Sequence, residues 1–418
     1  MTELMPLHFS RSDGRLFRKA VWLGVALAIA LSVLSFGNAA AGVGFPVQSF
    51  ASFGPAFFAW KPGYRSADEE WGATDGDPSR RASLLETGRN ILAQEPLSIQ
   101  SLRLAAWSEA QQGDIATARL RMKMAERLTR RDVAVQLWLI DDAVRSGDLG
   151  AALRGYDVVL RTAGRLHAPL LQRLVASLSA EEARSALRPY AVADNPWFPQ
   201  LLRLASQNGS GAQAALLLSS LSKLPDTTAY RTAYTALVPA LMKERQFDLL
   251  RRIYPRLPGA LESEKYKGDP ALRGALGTDG YPPLAWVLAA NADRNTSIVT
   301  GRNGPVLQIE AKPFTNGPVA TRTLLPKTSP LGFGWTVKRQ GVPTGTARWS
   351  IRCLDSGLSV RSPDLLAGSG GKGVLTLPQP CRVVELTLTV NGGTGSTGPA
   401  FDLMDLHWLN AEPASARD

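Results

Sequence analysis

The chain has 418 residues, of which 44% are hydrophobic and 20% charged, a balance that excludes a wholly disordered protein and allows two or three domains. Its formal net charge of +11 favours acidic partners over basic ones. Two cysteines and three histidines are too few to favour a zinc site. We therefore expect no metal and no cofactor.

The N-terminus predicts a membrane segment. Residues 20–43 open with the uncharged run AVWLGVALAIALSVLSF, and the flank 1–19 before it is basic. Such a pattern is typical of a helix that keeps its positive flank in the cytoplasm and exports the rest of the chain. The alternative is a signal peptide cleaved near residues 39–41. We expect a single-pass protein of the cytoplasmic membrane, with a linker at 44–80 and the bulk of the chain in the periplasm.

Residues 81–262 show helical periodicity and an internal repeat. A Gly-Asp pair at 113–114 recurs at 147–148, with Ala118 and Ala125 at positions where paired helices approach closely. Glycine ends a helix in the left-handed conformation, and small residues permit close packing. This segment resembles a tetratricopeptide repeat. The resemblance implies a right-handed α-solenoid, whose usual role is to bind another protein.

Most of the positive charge lies in this helical segment. Residues 80–256 hold 25 Lys and Arg against 16 Asp and Glu, which accounts for +9 of the +11. One interpretation is an ordinary solvated surface. The other is a basic face that binds an envelope protein. Its candidate residues are Arg119, Arg121, Lys123, Arg127, Arg145 and Arg154.

Short apolar runs between turn residues replace the helical pattern at 268–412, and a tail occupies 413–418. The clearest run, 384–390, alternates strictly between apolar and polar residues. This spacing predicts an antiparallel β-sandwich. Cys353 and Cys381 fall at strand ends, and we expect a disulfide between them that closes a loop of about 28 residues.

The sandwich resembles a jelly roll of the carbohydrate-binding-module type. The resemblance rests on Pro-Pro-Leu-Ala-Trp at 282–286, Trp-Ser-Ile-Arg-Cys at 349–353, Pro-Cys at 380–381 and the closing strand that ends at 409. The whole chain, classed as multidomain α plus β, resembles bacterial envelope proteins that accompany exopolysaccharide production. This resemblance implies a polysaccharide ligand.

A sugar site needs an exposed aromatic ring and nearby polar groups that satisfy the hydroxyls. Trp335, which comes directly after Gly332-Phe333-Gly334, is the first candidate ring, and Tyr281 is the second. Lys338 and Arg339 lie close to Trp335 in sequence and suit an acidic polysaccharide. The alternative is that Trp335 belongs to the core, as tryptophans on small sandwiches usually do.

The sequence carries no Gly-x-Ser-x-Gly elbow, no phosphate loop and no His-Glu-x-x-His motif. We therefore expect a non-catalytic adaptor, whose solenoid binds a protein and whose sandwich binds polysaccharide. The alternative is a structural assembly factor whose sandwich binds protein and no glycan. Nucleic acid is not an expected partner of an exported protein.

Overall fold

A computed structural model gives the conformation of most of the chain between residues 95 and 409. The structure describes residues 95–260, 280–302, 304–326, 329–341, 345–367 and 370–409, together with positions 86, 88, 90, 92, 93, 270 and 272. It has a helical N-terminal part and two antiparallel sheets, so the predicted α plus β class is confirmed. The right-handed solenoid and the jelly roll stay predictions.

The predicted N-terminal elements and the tail lie outside the described residues. Within the part that the structure describes, no helix is both long and apolar enough to span a bilayer. The longest described helix, Thr228–Lys243, has 16 residues, whereas a spanning helix needs about 20. The predicted localisation as a single-pass membrane protein is corrected on this finding.

The chain divides into two compact units, Met1–Val159 and Leu160–Asp418. The predicted boundary at 262–268 lies outside the described residues. The helices for which the structure gives full bounds here are α1 (Ile99–Gln111), α2 (Ile115–Leu128), α3 (Val133–Arg145) and α4 (Leu149–Thr162), and the end of α4 passes the boundary at Val159.

The helix boundaries in the first unit repeat with the sequence. Gly113 and Gly147, just after α1 and α3, have φ values of 88° and 75°, a conformation that glycine adopts without steric cost. Asp114 and Asp148 come next and accept hydrogen bonds from the backbone N–H three residues on, at 3.1 and 2.8 Å. The Gly-Asp pair therefore ends one helix and begins the next.

Small and flexible side chains fill the space between these helices. Ala118, Met122 and Ala125 of α2 are fully buried and pack with Leu102 of α1 and Val135 of α3. They are three and four positions apart, so they form one stripe of the helix. The remaining residues of α2 are half-buried or exposed.

The described residues of the second unit form six further α-helices and the sandwich. The helices are α5 (His167–Ser177), α6 (Glu181–Leu187), α7 (Phe198–Gln207), α8 (Gly211–Ser219), α9 (Thr228–Lys243) and α10 (Phe247–Ile253). Their interior is aromatic, with ring centroids of successive neighbours 5.7–6.4 Å apart. The rings of this aromatic ladder are Tyr190, Trp197, Phe198, Tyr230, Tyr234, Tyr281 and Tyr254.

Ten strands of the sandwich lie within the described residues. They are β1 (Val287–Leu288), β2 (Arg294–Gly301), β3 (Gly304–Ala311), β4 (Asn316–Leu324), β5 (Gly332–Arg339), β6 (Thr346–Cys353), β7 (Ser359–Arg361), β8 (Gly371–Thr376), β9 (Val384–Asn391) and β10 (Ala400–Leu409). One sheet has the order β1-β4-β9-β6-β7 and the other β2-β3-β10-β5-β8. Every described strand pair is antiparallel.

The two sheets bury their facing side chains. Along β9 buried and half-buried residues alternate, as the sequence predicted for this strand. Phe333, Trp349 and Phe401 are fully buried, and the rings of Phe333 and Trp349 meet edge to face at 5.2 Å. This core fixes which residues of the sandwich reach the surface.

Candidate functional site

A groove in the first unit brings most of the predicted basic face together. Helices α2, α3 and α4 enclose a volume of about 600 Å³. Its charged lining residues are Arg119, Lys123, Arg127, Arg130 and Arg154, with Glu126, Asp142 and Asp148. Five cations against three acids leave a net charge of +2. Four of the five cations were predicted from the sequence.

One of these cations is held in an ion pair. Arg119 donates from Nε and Nη2 to the two carboxylate oxygens of Asp142, at 2.6 and 2.8 Å. Hydrogen bonding to Arg119 is the main cause that lowers the pKa of Asp142, and the same contact raises the pKa of Arg119. A bidentate pair of this kind fixes the guanidinium at the groove wall.

The other four cations are exposed. Lys123, Arg127, Arg130 and Arg154 form no ion pair or side-chain hydrogen bond with the residues that the structure describes. Their charges are free to meet an acidic ligand in the groove.

Two predicted residues of the basic face do not line the groove. Arg121 pairs with Glu109 of α1 at 2.7 Å, and Arg145 donates to the carbonyl oxygen of Asp141 at 3.3 Å in its own helix. Arg121 is two positions from Arg119, so it lies on another side of α2. The groove therefore brings together four of the six predicted residues, and the assignment of Arg121 and Arg145 to a basic face stays a prediction.

Arg130 was not among the predicted residues, although its position in the sequence marks it. The positions 119, 123, 127 and 130 are four, four and three residues apart. This spacing places them along one side of α2 and just beyond its C-terminal end. The predicted basic face did not use this spacing. It therefore included Arg121 and omitted Arg130.

An apolar ridge on α2 borders the groove. Leu120, Met124 and Leu128 are four residues apart, and their side chains are 61%, 40% and 43% exposed. Lys123 and Arg127 lie between them and the groove, because they occupy the adjoining strip of the helix. Apolar side chains at this spacing and exposure are typical of a helix face that meets a partner.

The predicted glycan platform is buried. Trp335 is 5% exposed and packs on Phe333 with ring centroids 5.6 Å apart. The nearby glycines have another purpose: a Cβ on Gly334 would collide with His407, and a Cβ on Gly373 would collide with Trp335. The glycines admit large rings from neighbouring strands and do not expose Trp335. The platform prediction is therefore corrected, and Trp335 is a core residue.

Tyr281 is also part of the interior. It is 4% exposed, meets Tyr234 and Tyr254 edge to face, and donates its hydroxyl to the carbonyl oxygen of Pro258. Burial raises its pKa to about 12. It is therefore a member of the aromatic ladder and cannot stack on a sugar.

Lys338 and Arg339 point to opposite faces of β5. Lys338 is exposed, whereas Arg339 lies on the side of Trp335 and buries two guanidinium nitrogens, Nε and Nη2, that have no hydrogen-bond partner. The two residues therefore do not form one polar edge beside Trp335. The four predicted platform residues do not assemble into a site.

The predicted disulfide between Cys353 and Cys381 is confirmed, with the two Cα atoms 5.6 Å apart. Each cysteine is followed by a residue that accepts a hydrogen bond from the helices. Arg245 donates to the Leu354 carbonyl at 3.0 Å, and Arg251 donates to the Arg382 carbonyl at 2.8 Å. The disulfide therefore joins the two chain segments on which the α9–α10 corner rests.

Potential metal ligands converge at the same place. Among the described residues, the one group of three is Cys353, Asp355 and Cys381. Both of its sulfur atoms form the disulfide, so the group provides only one carboxylate. It offers no set of ligands that a structural zinc ion requires.

Comparison with known proteins leaves the family open. No family model and no curated protein matches the chain. Solved structures that resemble about a third of the chain include the following three. A CBM61 module solved with β-1,4-galactotriose has a TM-score of 0.24 and 6% identity over 30% of this chain and 88% of its own. The enzymatically active domain of bacteriophage CBA120 tailspike protein 4 has a TM-score of 0.22 and 14% identity over 30% and 19%.

The third is the Clostridium thermocellum xylanase 10B fragment with CBM22-1 and GH10 modules, solved with xylohexaose. It has a TM-score of 0.22 and 15% identity over 32% of this chain and 27% of its own. Likenesses of this size support no conclusion about family or ligand. The function must therefore be argued from the side chains themselves.

Proposed function

We propose that this protein is a non-catalytic adaptor whose first unit binds an acidic, amphipathic segment of a partner protein. The observation that carries the proposal is the groove between α2, α3 and α4, in which four exposed cations border the apolar ridge Leu120, Met124 and Leu128. The groove lining includes neither a histidine nor a cysteine, and what it offers is charge and apolar surface.

The combination of ridge and groove favours a protein segment as the ligand. An amphipathic helix with apolar residues at intervals of three and four matches the spacing of the ridge. Acidic residues on its flank would meet Lys123, Arg127, Arg130 and Arg154. A polysaccharide has few large apolar groups with which to cover Leu120, so it satisfies only half of this surface.

The two parts of the surface contribute differently. Complete burial of a Leu or Met side chain stabilises by about 1.5–3 kcal/mol, and these three are already partly buried. The ridge therefore supplies a few kcal/mol of affinity. Exposed charges contribute mainly to the association rate and to partner choice.

The test uses a fluorescently labelled helical peptide of about 20 residues, with leucines at intervals of three and four and glutamates on the flank. We expect fluorescence anisotropy to show binding to the full-length protein. Lys123→Glu/Arg127→Glu should weaken binding at least about tenfold. The matched control Arg165→Glu/Arg173→Glu makes the same charge change at exposed arginines of the second unit and should leave binding unchanged.

Salt and an apolar variant separate the two contributions. Raising the salt from ~0.1 M to ~1 M shortens the Debye length from ~10 Å to ~3 Å, so the association rate should fall. Leu120→Ser/Met124→Ser should raise the dissociation rate instead. Equal loss in both charge-reversed proteins, or no loss in either, would contradict the proposal.

The second arm of the adaptor is an interaction of the sandwich with polysaccharide. Trp335 and Tyr281 are interior residues and cannot provide its binding surface. This arm therefore needs a different aromatic ring, one that the sandwich exposes to solvent. If the sandwich binds no glycan, the function reduces to the alternative, a structural assembly factor.

A further inference from the structure

Phe314 is the most exposed large hydrophobic side chain that the structure describes. It lies between β3 and β4, is 77% exposed and has a φ of +59°. A bulky residue rarely adopts positive φ, because its Cβ meets the backbone. Strained residues of this kind cluster at binding sites, where the surrounding structure holds them in place.

Three backbone hydrogen bonds hold the segment that carries this ring. Phe314 donates to the Gly393 carbonyl at 2.8 Å, Lys312 donates to the Asp293 carbonyl at 2.8 Å, and Gly392 donates to the Thr315 carbonyl at 2.7 Å. The chain at 312–316 is therefore fixed between the turn 291–294 and the loop 391–399.

Glycines make this close packing possible. A Cβ on Gly392 would collide with the carbonyl of Lys312, and a Cβ on Gly398 would collide with the carbonyl of Ala311. Neither position tolerates a larger residue without moving the segment of Phe314. The ring thus projects to solvent from a rigid support.

The residues near Phe314 in the chain, and those on the segments bonded to it, are mostly polar. Asn316 and Asn391 are exposed and lie opposite each other in the register of β4 and β9. Lys312 and Asp293 form an exposed ion pair at 3.9 Å. The segments 291–294, 312–316 and 391–399 are all described, and no other large hydrophobic side chain is exposed in them.

We infer that Phe314 is the platform of a glycan-binding site, which takes a pyranose ring against its face. This inference rests on the proposed function. It names the aromatic residue through which the sandwich of the adaptor would bind polysaccharide. The C–H face of a pyranose packs on an aromatic ring, and its hydroxyls pair with amide and charged side chains. Asn316, Asn391, Lys312 and Asp293 supply those groups.

Other ligands fit this surface less well. A protein interface has an apolar centre with several contacting residues, and a membrane-inserting loop carries several apolar side chains with a basic excess. Phe314 stands alone among amides and one ion pair. The site is distant in sequence from the α2 ridge and does not depend on it, so either proposal can fail without the other.

The test is affinity electrophoresis of the full-length protein in native gels that contain β-1,4-galactan, xylan, a β-glucan or alginate. We expect the wild-type protein to be retarded in at least one gel. Phe314→Gly removes the ring and keeps the backbone, because glycine adopts positive φ freely. Its affinity should fall at least about tenfold, while its melting temperature stays unchanged or rises.

Two variants complete the design. Phe314→Trp keeps an aromatic ring and should keep the retardation. Val374→Ala removes another exposed hydrophobic side chain of the sandwich and should behave like the wild type. Absence of retardation in all four gels, or equal retardation of Phe314→Gly, would overturn the inference. So would binding to phosphatidylglycerol vesicles that Phe314→Gly abolishes while no gel retards the protein.

Discussion

The helices of the first unit and those of the second bury different kinds of side chain. In the first unit the buried stripe of α2 consists of Ala118, Met122 and Ala125, whereas the second unit buries six of the seven rings of the aromatic ladder and half-buries the seventh, Tyr190. Exposed large hydrophobic residues are distributed in the opposite way. Within the described residues, the first unit exposes Leu97, Leu120, Met124, Leu128, Val144 and Leu149, and the helices and connections of the second expose Val192 and Leu216.

This difference favours the first unit as the part that would bind the proposed partner. The second set of helices completes its own core, and the ladder reaches Tyr281 at the entry to the sandwich. Arg245 and Arg251 add hydrogen bonds to the chain beside the disulfide. These helices therefore support the sandwich. The first unit leaves an apolar ridge and free cations uncovered, and this incomplete surface is the one that suits a partner.

The largest expected effect comes from Trp335→Ala. Because the ring belongs to the core, its loss should reduce the free energy of unfolding by about 3–5 kcal/mol. Urea unfolding followed by circular dichroism measures the change. Val374→Ala, at an exposed position of the neighbouring strand β8, is the control and should change it by less than about 0.5 kcal/mol. A small effect of Trp335→Ala would contradict the assignment of this ring to the core.

Removal of the disulfide should have the next largest effect on the free energy of unfolding. Its sequence separation of 28 predicts that Cys353→Ala/Cys381→Ala costs about 3–4 kcal/mol in the chain-entropy model. The same change should loosen the segments that accept hydrogen bonds from Arg245 and Arg251. Limited proteolysis should then cut near residues 354 and 382 first. Reductant should destabilise the wild type and leave the double variant unaffected, and a double variant as stable as the wild type would contradict the prediction.

Patterns of neighbouring residues correctly predicted several features of the secondary structure and the disulfide. Strict alternation at 384–390 predicted the faces of β9, and Gly-Asp pairs predicted where α1 and α3 end. Cysteines at strand ends predicted the disulfide. Each of these features is set by residues close in sequence or by a pairing with one available partner.

The failures concern contacts between distant segments. Trp335 looked accessible because glycines precede it, yet Gly373 on β8 makes room for its ring. Arg121 was predicted to belong to the basic face, yet it forms an ion pair with Glu109 of α1. No sequence pattern marks Phe314, because its exposure depends on the backbone bonds to Gly393 and the turn at Asp293. A single sequence does not show which distant segments will be in contact in the folded protein.

Alkaline pH should weaken the second unit through its tyrosines. Burial raises the pKa of Tyr281 to about 12, and burial also raises the pKa of Tyr230 and Tyr234. A group whose pKa is raised in the folded state contributes to the free energy of unfolding. This contribution is complete below the unfolded pKa of about 10 and is lost as the pH rises toward 12. Tyr281 alone accounts for about 2–3 kcal/mol over this range.

Urea unfolding at several pH values between about 8 and 12 measures this loss. Tyr281→Phe should have a lower stability at pH 8, since it loses the hydrogen bond to Pro258, and a flatter decline above pH 10. A decline as steep as that of the wild type would mean that other groups titrate, and would contradict the assignment to Tyr281.

The smallest expected effect on stability, from Asp142→Asn, bears most directly on the groove. Arg119 lowers the pKa of Asp142, so the carboxylate contributes stability above its ordinary value of 3.8, and this contribution is lost as the pH falls through the lowered folded value. The partner Arg119 is half-exposed, so Asp142→Asn should cost no more than about 1 kcal/mol near neutral pH.

The same change should strengthen capture of an acidic ligand. Removing the carboxylate changes the net charge of the groove lining from +2 to +3 and releases Arg119 toward the ligand. We expect the labelled acidic peptide to bind a few-fold more tightly, with a steeper dependence on salt. Arg119→Gln/Asp142→Asn should return to the wild-type affinity, because its lining again carries a net charge of +2. Weaker binding by Asp142→Asn would show that Arg119 acts only when the carboxylate holds it, and that the net charge of the groove does not decide affinity.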